Sequence, residues 1–252
     1  MEPVRTALAD EQRALSDLLG TLDGDGWRAP SRCEGWTVAD VVLHLAQTNE
    51  MAVASLAGTF DEFIERMTGG AGPMASVDDG AALMVERERG ASPDLLNARW
   101  EASAAELRAG FEAVDLHARV SWVAGELSAQ TLATTRLAET WIHAGDVAAA
   151  FGPLPEPTDR LWHIARLAWR TLPYAFARAG RTLSGPVAFV LSAPNGDEWT
   201  FAPDDGEPRT TVTGDAVDLC LVAGQRAGAA DTGLQAEGPD GEAVLALVRT
   251  FA

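Results

Sequence analysis

Apolar residues recur at three- and four-residue intervals through the first half of the chain, as they do in amphipathic helices. One run covers residues 3 to 22. A second begins after Thr37, where Asp40 can complete a capping box with the Thr37 hydroxyl, and a third begins at Ser92, where proline follows at the first helical position. A fourth spans residues 128 to 150. Four or five long helices joined by loops predict an antiparallel helical bundle.

Glycine and proline residues mark the ends of these helices. Gly24, Gly26 and Pro30 predict a loop between the first two helices, and residues 68 to 80 are predicted to form a flexible connection. A proline cluster around Pro155 ends the last bundle helix. We therefore expect a helical domain over residues 1–155 and a smaller α+β domain over residues 156–252.

The second domain mixes helix and strand patterns. Residues 158–179 predict one further helix. Strand-like runs at 187–191 and 199–201 flank Asn195-Gly196, which predicts a hairpin with a type I′ turn. The later segments predict a strand at 210–213, either a strand or a short helix at 218–223, and a helix at 240–251. The predicted fold class is α+β, a four-helix bundle followed by a smaller α+β domain.

The charge and the cysteine content limit which partners the protein is expected to bind and in which cellular compartment it is expected to occur. The net charge is −18, and all 19 basic residues are arginine. Such a chain is repelled by nucleic acid phosphates and by anionic membranes, so we expect neither as a partner. Two cysteines, Cys33 and Cys220, cannot form a disulfide scaffold, and no signal peptide or membrane-length apolar run is visible. These features predict a reduced, cytoplasmic protein, and they leave the oligomeric state open.

Three residues form a candidate metal site. Glu139 and His143 are four residues apart on one predicted helix, so their side chains share a face. His44, from a facing helix of the bundle, can supply a third ligand. One carboxylate and two imidazoles leave a coordination position open, which is typical of a catalytic metal site and not of a structural one.

The neighbours of these residues allow two interpretations. Arg136 and Asp146 lie on the same helical face as the Glu139/His143 pair, and Asp40 lies one turn before His44, so each can orient a metal ligand. Taken singly, however, a Glu/His pair is common on exposed helices, and Asp40 is already explained as a helix cap.

The local sequences resemble a known enzyme family. The segment Cys33-Glu-Gly-Trp-Thr-Val-Ala-Asp-Val-Val-Leu-His44 is similar to the signature of mycothiol-dependent maleylpyruvate isomerase and its relatives, which belong to the DinB-like metalloenzyme superfamily. Arg136-Leu-Ala-Glu-Thr-Trp-Ile-His143-Ala-Gly-Asp146 resembles the family's second metal motif. The resemblance covers residues 5 to 152 and implies a divalent metal, usually zinc, held by His44, Glu139 and His143.

The C-terminal part resembles the family's smaller domain, which is similar to sterol-carrier-type domains. There an apolar run ends in Gly-Arg, and the arginine contributes to the active site. The resemblance assigns this catalytic role to Arg226, although Gln225 intervenes between it and Gly224. An exposed arginine at the end of an element is the alternative.

The other reactive side chains show no partner in the sequence that would indicate a functional site. Cys33 shows no base partner in the sequence, so we expect a buried free thiol. His117 and His163 have no recognisable partners. The sequence lacks the glycine-rich and nucleophile motifs of nucleotide-binding proteins and serine hydrolases.

Three functions remain open. The first is a metal enzyme that uses mycothiol, whose thiolate attacks a small electrophile in a transferase or isomerase reaction. The second is a metal-dependent hydrolase, lyase or cyclase that uses no thiol. The third is a non-enzymatic binding protein for a small molecule.

Overall fold

The structure, a computed structural model, describes residues 2–69, 76–123, 125–152, 154–204 and 206–250. The chain divides into two compact units. The N-terminal unit comprises residues 5–155, and the C-terminal unit comprises residues 156–252 together with residues 1–4. The predicted α+β fold class is confirmed. Part of the predicted connection at 68–80 and the end of the predicted C-terminal helix lie outside the described residues.

The N-terminal unit is mainly helical. Its helices are α1 (Val4–Leu19), α2 (Gly24–Arg28), α3 (Val38–Ala57), α4 (Phe60–Thr68), α5 (Val77–Glu88), α6 (Pro93–Ala113) and α7 (Ala129–Ala148). Between α6 and α7, strand β1 (Arg119–Val120) pairs antiparallel with β2 (Leu127–Ser128).

Helix α3 is the centre of this unit. It packs against α6 and α7, and fifteen of its twenty residues are buried. Because α3 is covered on several sides, its apolar residues are not confined to one stripe. The main core cluster joins α3 to residues of α1, α6 and α7, among them Leu15, Trp100 and Val147. This packing brings polar residues of α3 and α7 together inside the unit.

Helix starts follow the predicted capping residues. The Thr37 side chain accepts a hydrogen bond from Asp40 N, and the Asp40 carboxylate accepts one from Thr37 N, so the capping box is confirmed. Ser92 caps α6 with proline at its start, and Ser128 caps α7. The loop predicted at Gly24 and Gly26 is wrong. These residues lie in α2, because the Asp23 carboxylate accepts hydrogen bonds from the backbone N–H groups of Asp25 and Gly26.

Within the described residues, the C-terminal unit contains a four-stranded sheet, three α-helices and a 3-10 helix (Ala229–Asp231). The elements in chain order are α8 (Leu161–Arg178), β3 (Val187–Ser192), β4 (Glu198–Phe201), β5 (Thr210–Asp215), α9 (Ala216–Ala223), β6 (Gln235–Glu237) and α10 (Gly241–Leu247). The strand order is β4-β3-β5-β6, with β3 and β5 parallel and the other pairs antiparallel. Both α9 and α10 pack against α8.

The structure of this unit bears on three local predictions: the β3–β4 turn, the segment after β5 and the end of the last helix. The hairpin of β3 and β4 is confirmed, but the type I′ turn is wrong, because Gly196 has a positive φ and Asn195 does not. Instead Gly196 N donates to Ala193 O, and Pro194 follows Ala193 as it does in type I turns. The segment after β5 is a helix, α9, and α10 ends at Leu247, before the predicted end.

None of the described helices is both long enough and apolar enough to cross a membrane.

Candidate metal centre

His44, Glu139 and His143 converge inside the N-terminal unit. His44 lies on α3, two turns after the Thr37 cap, and the other two lie on successive turns of α7. One ligand atom from each residue falls within 4.8 Å of the other two. Glu139 Oε2 is 3.5 Å from His44 Nε2 and 3.7 Å from His143 Nε2. All three side chains are buried.

These distances suit one bound cation. Two ligands that each bind a zinc ion at about 2.1 Å with the tetrahedral angle lie about 3.4 Å apart. In addition, Glu139 Oε1, on the carboxylate that faces both imidazoles, is buried without a hydrogen-bond partner among the described residues. Since buried polar atoms are nearly always paired, an unpaired atom in this cluster indicates a missing partner. The three residues therefore fit a divalent cation.

The protonation states of the cluster follow from its burial and its charges. Burial alone would raise the pKa of the Glu139 carboxyl, but the two facing imidazoles and the charge of Arg136 hold that pKa well below its usual range. Burial lowers the pKa of His44, with smaller contributions from the positive charges of His143 and Arg136. At neutral pH the cluster therefore offers an ionised carboxylate and a neutral His44 imidazole, the forms that bind a cation.

Asp146 orients the second imidazole. Its Oδ2 lies 2.9 Å from His143 Nδ1, which leaves Nε2 directed at Glu139. Burial alone would lower the pKa of His143, but contacts with Asp146, Cys33 and Glu139 raise it well above its ordinary value. A carboxylate that accepts the Nδ1 proton of a histidine fixes the tautomer whose Nε2 can bind a metal.

Cys33 contacts the same carboxylate, which the sequence did not predict. Its thiol donates to Asp146 Oδ2 at 3.1 Å and lies 3.8 Å from His143 Nδ1. The expectation of a buried thiol without a base partner is wrong, because Cys33 is half-buried and touches both groups. The 113-residue separation between Cys33 and Asp146 explains why no local pattern could reveal this contact.

Cys33, His143 and Asp146 form a second group of metal-ligand types. The 2.9 Å distance between Asp146 Oδ2 and His143 Nδ1 is that of a hydrogen bond and is shorter than the separation of two ligands on one zinc ion. We therefore interpret this group as a hydrogen-bonded support for His143, and the Glu139 group as the cation site.

Asp40 and Arg136, which were expected to orient metal ligands, have other contacts. Asp40 does not bond to His44; besides its capping role it pairs with Arg89 at 3.5 Å. Arg136 is buried near Glu139, but its guanidinium contacts the Trp122 ring, 4.9 Å from the ring centroid, and makes no ion pair with Glu139. Trp36, which sequence reasoning did not single out as part of the site, places its ring 5.3 Å from the His44 ring.

The remaining candidates belong to the C-terminal unit. Arg226 is half-buried after α9 and lines an open cleft of about 650 Å³. Gln225 has a φ of 59°, and Arg226 N donates to Leu221 O, so the inserted residue closes α9 in a Schellman motif. His163 does have a partner, because its Nε2 lies 3.0 Å from Glu2 O. Cys220 is fully buried, which raises the pKa of its thiol well above the usual value.

Comparison with known proteins identifies the family. The family model described as "Mycothiol maleylpyruvate isomerase N-terminal domain" matches residues 8–148, which include all three metal-ligand candidates. The chain belongs to this family. The resemblance seen in the two sequence motifs is thereby confirmed, and the sterol-carrier-like character of the second domain stays a prediction.

The proteins to which this chain is similar match it over nearly its whole length. Two uncharacterised proteins from two strains of Mycobacterium tuberculosis are each 34% identical to it over 254 residues, which covers 99% of this chain and 95% of theirs. Two crystal structures of the mycothiol-dependent maleylpyruvate isomerase, one of a mutant, align with TM-scores of 0.58 and 0.56. They are 23% and 22% identical and cover 96% of this chain and 99% of theirs. At this identity the likeness shows a shared fold.

Proposed function

We propose that this protein is a metal-dependent enzyme that uses a low-molecular-weight thiol, mycothiol, to attack a small electrophilic substrate. One observation supports this proposal above the others: three buried ligand atoms converge within 4.8 Å in the domain that matches the mycothiol maleylpyruvate isomerase family. The thiolate sulfur would form a bond to an electrophilic carbon while a double bond of that carbon opens and its electron pair takes up a proton, or while a leaving group departs with its electron pair. A stable adduct makes the reaction a transfer; an adduct that isomerises and then loses the thiol makes it an isomerisation.

His44, Glu139 and His143 would hold the cation, with zinc as our proposed metal. Nitrogen and carboxylate ligands in a set of three suit catalytic zinc and leave one position for a further ligand. A divalent cation there would favour the thiolate form of a bound thiol, because a coordinating thiol loses its proton.

The surrounding residues would set the orientation and the protonation state of the metal ligands. Asp146 would hold a proton on His143 Nδ1, so that Nε2 would lose its own proton to become the ligand when a cation binds. Burial keeps His44 neutral, and the half-buried Trp36 ring packs beside its imidazole and limits the access of water. Arg226 remains our proposed catalytic residue in the C-terminal unit, on the basis of the motif resemblance. An Arg226→Gln variant should bind metal normally and turn over more slowly.

Metal analysis tests the first half of the proposal. Purified protein should contain about one zinc per chain, and His143→Ala should lose it, because one of three ligands is removed. His163→Ala is the matched control, since His163 lies outside the cluster, and it should keep its metal. Wild-type protein that folds but binds no divalent metal would overturn the proposal.

Calorimetric titration with mycothiol tests the second half. Mycothiol should bind the zinc-loaded protein and should bind the zinc-free protein at least about tenfold more weakly, because the cation stabilises the thiolate. Zinc-loaded protein that does not bind mycothiol would exclude the thiol and leave a thiol-independent metal enzyme. Mycothiol binding that is equal with and without zinc would contradict the proposed thiol activation.

A further inference from the structure

One long stretch of this acidic chain contains no acidic residue. Residues 160–196 include five arginines and neither Asp nor Glu, although the whole chain has 37 acidic residues and a net charge of −18. The stretch contains all of α8 and β3. Positive charge that is concentrated in one part of a protein attracts anions to that part.

Two of these arginines lie on one face of α8. This face carries four large side chains at helical spacing: Trp162, Arg166, Trp169 and Arg170. Arg170 is exposed, and the other three are half-buried. Neither arginine forms an ion pair with an acidic residue in the described part of the chain. Burial lowers the pKa of the Arg166 guanidinium, and the nearby charge of Arg170 lowers it further, so the two positive charges lie close together without a compensating carboxylate.

Aromatic contacts hold this face of α8 over strand β4. Arg166 Cζ lies 5.6 Å from the centroid of the Trp162 ring, in a cation–π contact. Phe201 of β4 packs against both tryptophans, with ring centroids 5.6 Å from Trp162 and 6.3 Å from Trp169. The four side chains of this α8 face and strand β4 together form the basic edge of the C-terminal unit.

Strand β4 has a free side that can pair with another strand. The strand order β4-β3-β5-β6 places β4 at the end of the sheet, and β3 is its only partner among the strands that the structure describes. The N–H and C=O groups of an edge strand are available for pairing with an added strand. An added strand lies about 4.8 Å beyond its neighbour, which is less than the length of an extended arginine side chain.

The two faces of β4 determine which residues an added strand should carry. Trp199 and Phe201 are buried on the face toward α8, whereas Glu198 and Thr200 are exposed on the opposite face. Successive side chains of a strand alternate between the two faces of the sheet. Every second side chain of an added strand would therefore lie on the side of the two arginines, where a carboxylate is the matching group.

A second copy of the chain and large polyanions fit the basic edge less well. Two copies joined through β4 around a twofold axis would place their α8 helices side by side, so the arginines would repel each other. A membrane surface or a nucleic acid duplex would also bring negative charge close to exposed acidic residues of this unit, such as Asp197, Asp204 and Glu207. A narrow peptide avoids both conflicts.

We propose that the basic edge binds an extended acidic segment of a partner protein, which adds to β4 as a fifth strand and places Asp or Glu side chains against Arg166 and Arg170. In this mode of recognition, backbone hydrogen bonds provide affinity and the side chains provide specificity. The binding function is independent of the proposed metal chemistry, so either proposal can fail without the other.

Fluorescence polarisation with labelled eight-residue peptides tests the proposal. A probe of four Glu-Thr repeats alternates carboxylates with a strand-forming residue, and the wild type should bind it at low salt. The double variant Arg166→Gln/Arg170→Gln should bind it about tenfold more weakly, the effect of losing two partly exposed ion pairs. A probe of four Glu-Pro repeats has the same charge but lacks half of the N–H donors, so it should bind at least about tenfold more weakly than the Glu-Thr probe.

A matched variant and a stability measurement control for charge and folding. Arg178→Gln removes an exposed arginine from the last turn of α8, outside the basic edge, and should bind the Glu-Thr probe like the wild type. The double variant should unfold within a few degrees of the wild-type temperature, because substitutions at the surface change stability little. A large decrease would assign the two arginines a structural role and overturn the proposal.

Several other results would overturn it as well. These are no binding of the Glu-Thr probe by the wild type, equal binding by the double variant, or equal binding of the Glu-Pro probe, which would reduce the interaction to charge attraction without strand pairing. Sedimentation that shows a dimer for the wild type and a monomer for the double variant would assign the edge to a second copy. Phosphatidylglycerol vesicles that bind the wild type and not the double variant would assign it to a membrane.

Discussion

The Asp240 cluster of the C-terminal unit and the metal-ligand cluster of the N-terminal unit both bury charged side chains, but they pair them differently. The Asp240 carboxylate accepts hydrogen bonds from Ser184 N at 2.7 Å and Ser184 Oγ at 2.9 Å, and Asp240 N donates to Thr210 Oγ1 at 3.2 Å. In the N-terminal unit, Glu139 Oε1 and Arg136 Nε have no such partner within the described part of the chain.

This difference distinguishes a structural polar cluster from a functional one. A fully hydrogen-bonded cluster fixes neighbouring segments and contributes to stability. The Asp240 cluster does so for the segment before β3, the start of β5 and the start of α10. Buried groups that lack partners lower stability, and their presence is explained when a ligand supplies the missing partner. Substitutions in the two clusters should therefore affect different properties.

The largest expected effect is on metal binding. Glu139→Gln removes the only carboxylate of the cation site, so zinc affinity should fall by about a thousandfold, or about 4 kcal/mol. Competition with a chelator would measure the affinity, and circular dichroism would verify the helical content. Glu106→Gln, an exposed position on α6, is the control and should bind zinc like the wild type. Unchanged affinity in Glu139→Gln would remove Glu139 from the site.

A comparable substitution in the Asp240 cluster should act on stability alone. Asp240→Ala leaves two Ser184 donors without their acceptor and should reduce the free energy of unfolding by about 2–3 kcal/mol. Urea unfolding would measure this loss, and zinc content should not change. Asp204→Ala, at an exposed position of the same unit, should change stability by less than about 0.5 kcal/mol. A zinc-deficient Asp240→Ala protein would contradict the separation of the two clusters.

Asp146→Asn should have an intermediate effect within the metal cluster. Asparagine can still contact His143, but it fixes the tautomer less strongly, so zinc affinity should fall about tenfold to a hundredfold. The same chelator competition applies. Asp94→Asn, in the exposed first turn of α6, should leave affinity unchanged. If Asp146→Asn lost as much affinity as Glu139→Gln, Asp146 would be a ligand and not a support.

The smallest effect concerns the turn beside the proposed catalytic arginine. Gln225 adopts a left-handed conformation that favours glycine, so Gln225→Gly should raise the free energy of unfolding by about 0.5–1 kcal/mol. Gln225→Ala keeps the unfavourable conformation and should show no gain in the same urea measurements. Destabilisation by Gln225→Gly would mean that the glutamine side chain contributes contacts that outweigh its backbone conformation.

Predictions from sequence succeeded where the interactions are local. The starts of α3, α6 and α7 depend on a capping residue and the next three positions, and Thr37, Ser92 and Ser128 predicted them. The Glu139/His143 pair shares a helix face for the same local reason. Helix α2 was missed because its two glycines are typical of a loop and its start depends on a single capping residue, Asp23.

Interactions between distant segments could not be predicted in the same way. Strand β6 has only three residues, and it is defined by its pairing with β5, not by an alternating pattern. The Cys33–Asp146 contact and the stacking of Arg136 on Trp122 join different elements whose packing no local pattern reveals. That His44 faces the other two metal-ligand candidates was predicted through the resemblance to a family, and spacing alone left it open.

The contact between the segment before α3 and the end of α7 determines when a cation could bind at the proposed site during biosynthesis. Arg32 N donates to Asp146 O, and Cys33 reaches the same residue across 113 positions of sequence. In a zinc finger, nearby ligands allow the metal to drive folding. Here the ribosome must synthesise nearly the whole N-terminal unit before α3 and α7 can bring the ligand candidates together. The loop between these helices is long, so its closure without tertiary packing is unfavourable. A cation at the proposed site would therefore be captured late in biosynthesis, after α3 has packed against α7.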